Sequence, residues 1–454
     1  MNNRELRARK WKFIFIFLLL LIFRYMLDLL FRDVAPTYSV AFQNPFLPER
    51  LLLSRWLYIP FALLTAFIAV YKSTVVSCLF CILFVMNGAS SFSMYAFKST
   101  MTESSFRTFC LFWGIFALCA TLPPLRFNTK EKILTIQRNY SNRTAGDPTP
   151  VPEKHGTFMV VILVVAVLSA VALSGLYGDF RIFIDFSDVY AYRFEFIEAQ
   201  LPSLVSYYLR FLSGAILPFL FAAFLTTHQY GFSGLALLGG LFTYGIDGLK
   251  TTLLIYVLIF FFYIVMGRKN RKSNFHRPVI LLLLSLIVGI YIVHYIFTRH
   301  NTRFFSTELY RVLVVPASIG DNYFQFIQNG KPLLLSQSIL RAFIESPYEK
   351  SIYYLVTSQV QSGRAAIANT GLVGDAYANF KMVGILLYPI LYCLVFKIWE
   401  VLTRKDTPFL AVSIGFVIIW NAISLSFFTW LLSGGVIVFC LLIIAKNKVR
   451  MRIL

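Results

Sequence analysis

The chain has 454 residues, of which 58% are hydrophobic and only 14% charged, where a soluble domain carries about 25% charged residues. That deficit excludes an ordinary water-soluble enzyme, and the lack of any long polar tract excludes a disordered scaffold. The 42 basic residues outnumber the 21 acidic ones for a formal charge of +21; in a chain this apolar, basic loops held on the cytoplasmic side of a membrane explain the excess, with no nucleic acid involved.

A spanning helix takes about 20 predominantly apolar residues, and roughly twelve such stretches can be marked in chain order. The first, 11–31, follows Arg4, Arg7, Arg9 and Lys10. It is too long for a signal-peptide core, so it reads as a retained span. The others fall near 51–71, 74–97, 105–124, 157–177, 203–226, 231–247, 251–267, 278–298, 382–402, 407–422 and 424–445. With the N-terminus inside, three basic groups land on the cytoplasmic side: Arg126 to Lys154 after the fourth span, Arg268 to Arg277 after the eighth, and Lys446 to Arg452 in the tail. The predicted fold class is therefore all-α, a polytopic integral membrane protein in a single domain over 1–454, both termini cytoplasmic.

Between the spans, 125–156 is a Pro- and Gly-punctuated cytoplasmic linker. Two external segments stand out. One is 178–202, rich in charge; the other is 299–380, about eighty residues and far too long for a connector. Within it, 333–345 and 351–360 carry apolar residues at near-helical spacing and are expected to form short amphipathic helices. All six cysteines lie inside apolar stretches, so Cys78 and Cys81 read as packing rather than redox chemistry.

No P-loop, H-E-x-x-H or G-x-S-x-G is present, so nucleotide-driven transport and common hydrolase chemistry have no support. The five histidines are scattered, and no metal site is visible. What remains is basic residues on the external side. Arg299, Arg303, Arg311, Lys331, Arg341, Lys350 and Arg364 oppose the insertion rule. Guanidinium groups recognise phosphate oxygens in pairs, which points to a phosphate or pyrophosphate at the membrane surface; salt bridges to neighbouring acids are the plainer account. Arg210 lies about two turns into the sixth span, where an ionisable group is costly and suggests function unless it snorkels to the interface. Asp247 and Lys250 sit at the external end of a helical hairpin, and Arg24 and Asp28, four apart on the first span, are expected to pair. Asp375 can activate a sugar hydroxyl or cap the incoming helix.

The pattern A-N-x-G-x-x-x-D-A-Y-x-N-F-x-x-x-G at 368–384 resembles the segment before a late span in Wzy-type O-antigen and capsule polymerases. Asp188-Val189-Tyr190-Ala191-Tyr192-Arg193 resembles a tyrosine-and-arginine loop of the same enzymes, Gly248-Leu249-Lys250 a short Gly-x-Lys/Arg hairpin, and Tyr310-Arg311 with Pro316 the start of their large periplasmic loop. Span count, orientation and loop placement fit as well, so the resemblance covers nearly the whole chain. Lys381 departs from it, since Gly often follows the Asn-Phe pair.

The resemblance implies a GT-C-like membrane glycosyltransferase of the bacterial inner membrane. It would polymerise undecaprenyl-diphosphate-linked oligosaccharide repeat units into O-antigen or capsule, without metal or cofactor. It further implies Arg193, Arg210, Lys250, Arg311 and Arg364 as diphosphate ligands, Asp375 or else Glu308 as the catalytic carboxylate, and Tyr190, Asn369, Tyr377 and Asn379 as substrate-positioning groups. A flippase and a chain-length regulator are the implied protein partners. Two rival readings stay open: an O-antigen ligase, which leans on a loop histidine for which His300 is the candidate, and a flippase or other transporter, for which no internal repeat is visible.

Overall fold

The computed structural model of the protein describes residues 3–43, 47–125, 157–181, 201–266, 275–300, 304–360 and 370–453. Among them every regular element is helical. The helices are α1 (Asn3–Leu29), α2 (Pro48–Phe67), α3 (Val75–Phe97), α4 (Glu103–Thr121), α5 (Thr157–Tyr177), α6 (Ser203–Thr226), α7 (Tyr230–Asp247), α8 (Lys250–Met266), α9 (His276–His300), α10 (Val315–Gln328), α11 (Ile352–Val360), α12 (Leu372–Leu402), α13 (Pro408–Ser424), α14 (Phe427–Leu431) and α15 (Val436–Ile453). Nearly all of the linker 125–156, residues 182–200 of the first external segment, and residues 301–303 and 361–369 of the second lie outside the described residues.

Nine helical stretches among the described residues are long and apolar enough to cross a membrane, where about twelve were expected. The difference lies in α8 and α13, with 17 residues each, and in α7, whose 18 residues are long enough but are diluted by glycine, tyrosine and Asp247. The protein is thus a multi-pass helical membrane protein. Its central post is α3, every residue of which is buried. The lateral faces remain apolar where they are exposed, as at Leu18, Val165, Leu168, Ile264 and Leu441; a contiguous surface of this kind suits lipid rather than water.

Contacts at the helix ends sort the bundle into two poles. At one pole Phe13 faces Tyr71, the Val75 amide donates to Glu400 Oε1 (3.1 Å), Lys397 Nζ donates to the Pro123 carbonyl (3.3 Å), and Lys446 pairs with Asp406. The segments that lead into the basic linker 125–156 and the basic tail therefore share this pole with the start of α1. The other pole is loop-rich. There Tyr38 Oη lies 2.6 Å from Ser306 Oγ and its ring stacks on Tyr310, and the chain from Phe304 through a π turn (Tyr310–Val314) into α10 crosses the bundle to end beside α12.

That crossing strap is fixed by a buried ion pair that the sequence did not announce. Lys98 Nζ donates to Asp321 Oδ2 (2.6 Å), to Asn322 Oδ1 (2.6 Å) and to the Ser318 carbonyl (3.2 Å), while Ser105 Oγ and Gln325 Nε2 donate to the Asp321 carboxylate. Both charged side chains are almost fully excluded from solvent, so the satisfied geometry is what makes the pair tolerable.

Two expectations for the long external segment need correction. Residues 333–345 form turns and one 3-10 turn (Ile339–Ala342) rather than a helix, because the amides of Leu333 and Leu334 bond to the carbonyls of Ala378 and Asn379 instead of to their own chain. The expected helix at 351–360 is present as α11. The tenth span was expected to begin at 382, but helical structure begins at Leu372 and breaks at Phe380 and Lys381.

Candidate functional site

The break in α12 is a reversal. Phe380 has φ −137° and ψ 16°, and Lys381 has φ 48° and ψ −132°, neither helical. The Leu372 amide donates to Tyr392 Oη at 3.3 Å, although a straight helix would hold these residues about 30 Å apart. Gly384 lies so close to the Ala376 carbonyl that any side chain there would strike it. Residues 372–379 therefore fold back along 382–392 as a half-helix, and Leu372 reaches the level of Tyr392. Only 382–402 continues to the opposite pole.

Backbone at this depth must be hydrogen-bonded within the protein, and neighbouring broken helices supply the partners. Gly371 packs against the last turn of α13, where an added Cβ would run into the Ala422 carbonyl, and its amide donates to Ile423 O (3.2 Å). Past the end of α13 the chain restarts as α14. Its first amide, Phe427 N, donates to Asp375 Oδ2 at 2.7 Å. Asn379 Nδ2 donates to Asp375 Oδ1 (2.9 Å) and to the Asp375 carbonyl (3.0 Å), while Asn379 Oδ1 accepts from the Leu335 amide (2.9 Å). Asp375 and Asn379 thus join three separate chain segments.

Around this pair lies a small cavity of about 20 Å³ with both polar and apolar walls, room for one water. Tyr323, Tyr353, Tyr388, Thr370 and Ser426 bring hydroxyl groups to its wall. A cover of Leu333, Leu335, Gln337, Ser338 and Ile352 closes it, and that cover contains two successive leucines in left-handed conformation, Leu334 (φ 49°) and Leu335 (φ 67°). Burial and then the negative charge of Asp375 push the Tyr353 phenol above its usual pKa, outweighing its bond to Ser426. Burial, Tyr353 and Asp375 raise Tyr323 likewise. Both phenols stay protonated at neutral pH. The result is a carboxylate with one acceptor site left on each oxygen, ringed by neutral hydroxyls, an arrangement that can bind a hydroxyl-bearing ligand and accept its proton.

The expected site residues divide into three groups. Asp375 and Asn379 line the cavity; Tyr377 is buried beside them with its ring 4.3 Å from Phe324. Glu308, Arg210 and Arg311 are exposed and Lys250 is half-buried, and none of these four lines the cavity. Arg210 lies on α6 just before the π turn Leu212–Ile216, where Ala215 packs against Gly435 in the turn that follows α14. Tyr190, Arg193, Arg364 and Asn369 lie outside the described residues. The tyrosines Tyr323, Tyr353 and Tyr388 escaped sequence reading because they come from three elements with no common spacing. Among the described residues no three His, Cys, Asp or Glu side chains gather as a metal-binding group.

No family model, curated protein or solved structure matches the chain.

Proposed function

We propose that this protein is a membrane glycosyltransferase that polymerises undecaprenyl-diphosphate-linked oligosaccharide repeat units into a surface polysaccharide, O-antigen or capsule, at the outer face of the bacterial inner membrane. In this reading the chain crosses twelve times, α7, α8 and α13 included, with both termini in the cytoplasm and the loop-rich pole outside. The observation that carries the reading is the segment 368–384. It resembles a polymerase motif, and its acid, Asp375, meets hydroxyl groups in a cavity at the pole that also carries the described part of the long segment 299–380.

The chemistry follows from the donor. The acceptor sugar's hydroxyl oxygen bonds to the anomeric carbon, the bond from that carbon to the diphosphate oxygen breaks, and the diphosphate leaves with the electron pair. Asp375 takes the hydroxyl proton. Glu308 is the second choice for that role, though its exposure favours Asp375. Arg193, Arg210, Lys250, Arg311 and Arg364 serve the leaving diphosphate, whose charge basic groups stabilise as it develops. Tyr190, Asn369, Tyr377 and Asn379 orient the substrates. The donor is already activated, so no nucleotide is required.

Comparing lipid-linked and surface glycans from cells with and without the gene tests this directly. Loss of the long ladder, with a single repeat still attached to its final acceptor, is the expected result. Long polymer left unattached on its carrier would mean a ligase, and repeats trapped on the cytoplasmic face would mean a flippase; either outcome removes the polymerase reading.

A further inference from the structure

A charged cluster inside the bundle has no part in the proposed reaction. Asp28 on α1 is buried, and it pairs with Arg24 one turn earlier on the same helix. From α2, Arg55 Nε and Nη2 both donate to Asp28 Oδ2, at 3.2 and 3.1 Å. Arg24 is itself buried. Its Nη groups donate to Ser93 Oγ (2.6 Å), Ser54 Oγ (2.9 Å) and the Phe92 carbonyl (3.1 Å), and its guanidinium carbon stands 5.9 Å from the centre of the Tyr58 ring.

Two guanidinium groups therefore share one carboxylate, and the cluster carries a net charge of +1. Nearby Arg32 and Asp33 pair with each other and do not offset it. An unbalanced charge beside lipid is costly. Arg24 is locked in, so the excess reaches the surface only at Arg55, whose side chain is 46% exposed. Among the described residues Arg55 Nη1 has no partner. Its neighbours Trp56 and Leu52 are strongly exposed on the same helix; tryptophan is enriched at the headgroup boundary, and an exposed leucine beside it suits the adjoining acyl chains. Arg55 is seven residues into α2, about 10 Å along it, and so stands near the helix end at the loop-rich pole.

We propose that Arg55, backed by Asp28 and Arg24, binds the phosphodiester of an anionic phospholipid. A phosphate oxygen accepts from Arg55 Nη1 and brings the cluster to neutrality. A zwitterionic lipid carries its own ammonium, which the two arginines repel, so the site selects a headgroup with no cation. The site shares no residue with the Asp375 cavity, and it stands whether or not the protein is a polymerase.

The test uses the full-length protein in nanodiscs of phosphatidylcholine with increasing phosphatidylglycerol, reading retained lipid by native mass spectrometry and the thermal midpoint. The wild-type protein retains phosphatidylglycerol in preference and its midpoint rises with it. Arg55→Gln binds that lipid about fivefold more weakly and loses the rise, while its midpoint in pure phosphatidylcholine does not fall, because the Arg24–Asp28 pair survives as a neutral unit. Arg55→Lys keeps most of the effect. Wild-type lipid preference in Arg55→Gln would overturn the site, as would equal retention of the two lipids by the wild-type protein. Stabilisation by undecaprenyl diphosphate but not by phosphatidylglycerol would reassign the cluster to a substrate carrier and equally overturn it.

Discussion

Asp375→Asn separates the structural duty of this residue from its proposed chemical one. The two carboxylate oxygens each accept from a buried donor, Phe427 N and Asn379 Nδ2. An asparagine has one acceptor oxygen, so either rotamer turns its NH2 toward a donor. The variant loses one charge-assisted bond, worth about 1.5–3 kcal/mol, and strands a donor at a further cost of about 1–3 kcal/mol. Relief from burying a carboxylate opposes both, which leaves a net loss of about 1–3 kcal/mol. Exchanging the pair, Asp375→Asn with Asn379→Asp, restores complementarity to Phe427 N and Leu335 N but sets the new carboxylate against the Asp375 backbone carbonyl. It should recover about half of the lost stability. The assay is thermal unfolding of the purified protein in detergent, run beside glycan extension in cells. Extension is expected to fail in both variants, because the exchange moves the acid by one turn. A single variant as stable as wild type would refute the hydrogen-bond assignment, and extension by the exchanged variant would remove Asp375 as the base.

Three further changes test the surrounding structure. Lys381 occupies a left-handed backbone position (φ 48°) that costs a non-glycine residue about 1–3 kcal/mol, so Lys381→Gly should raise the thermal midpoint while Lys381→Ala should not; a fall with glycine would contradict the reversal at 380–381. Lys98→Met leaves Asp321 buried without its cation and should cost about 3–5 kcal/mol, most of it returned by adding Asp321→Asn, whose side chain still meets Ser105 and Gln325; no rescue on unfolding would mean the pair is not the buried lock described. Arg311→Ala and Arg364→Ala should each abolish glycan extension with membrane insertion intact, and near-wild-type chain length in either would end its assignment to the diphosphate.

Apolar runs made most of the bundle legible. The stretches marked at 157–177 and 203–226 coincide with α5 and α6, and 51–71, 74–97 and 231–247 lie within a few residues of their helices. These boundaries follow from local hydrophobicity alone, and so did the Arg24–Asp28 pair, set by its spacing of four. What stayed hidden depends on partners distant in sequence. The half-helix 372–379 reads as a turn-punctuated approach to a span that begins at 382, and its reversal rests on two backbone conformations, one held by a lysine where glycine would have announced a turn. The apolar residues of 333–345 recur at near-helical spacing, yet the amides of Leu333 and Leu335 answer to Ala378 and Asn379. Lys98 and Asp321 lie 223 residues apart, and no local pattern links them. The sequence offers Asp375 as a base or a cap, and the structure gives it a capping bond to α14, a helix that begins 52 residues later, rather than to its own.

The most direct test of the account reconstitutes the purified protein in liposomes with a single substrate, a repeat unit on undecaprenyl diphosphate. Products of two, three and more repeats should form, with one undecaprenyl diphosphate released for each bond made, and Asp375→Asn should form none while still binding the substrate. Intact single repeats with the wild-type protein, or a ladder that Asp375→Asn extends equally well, would contradict it.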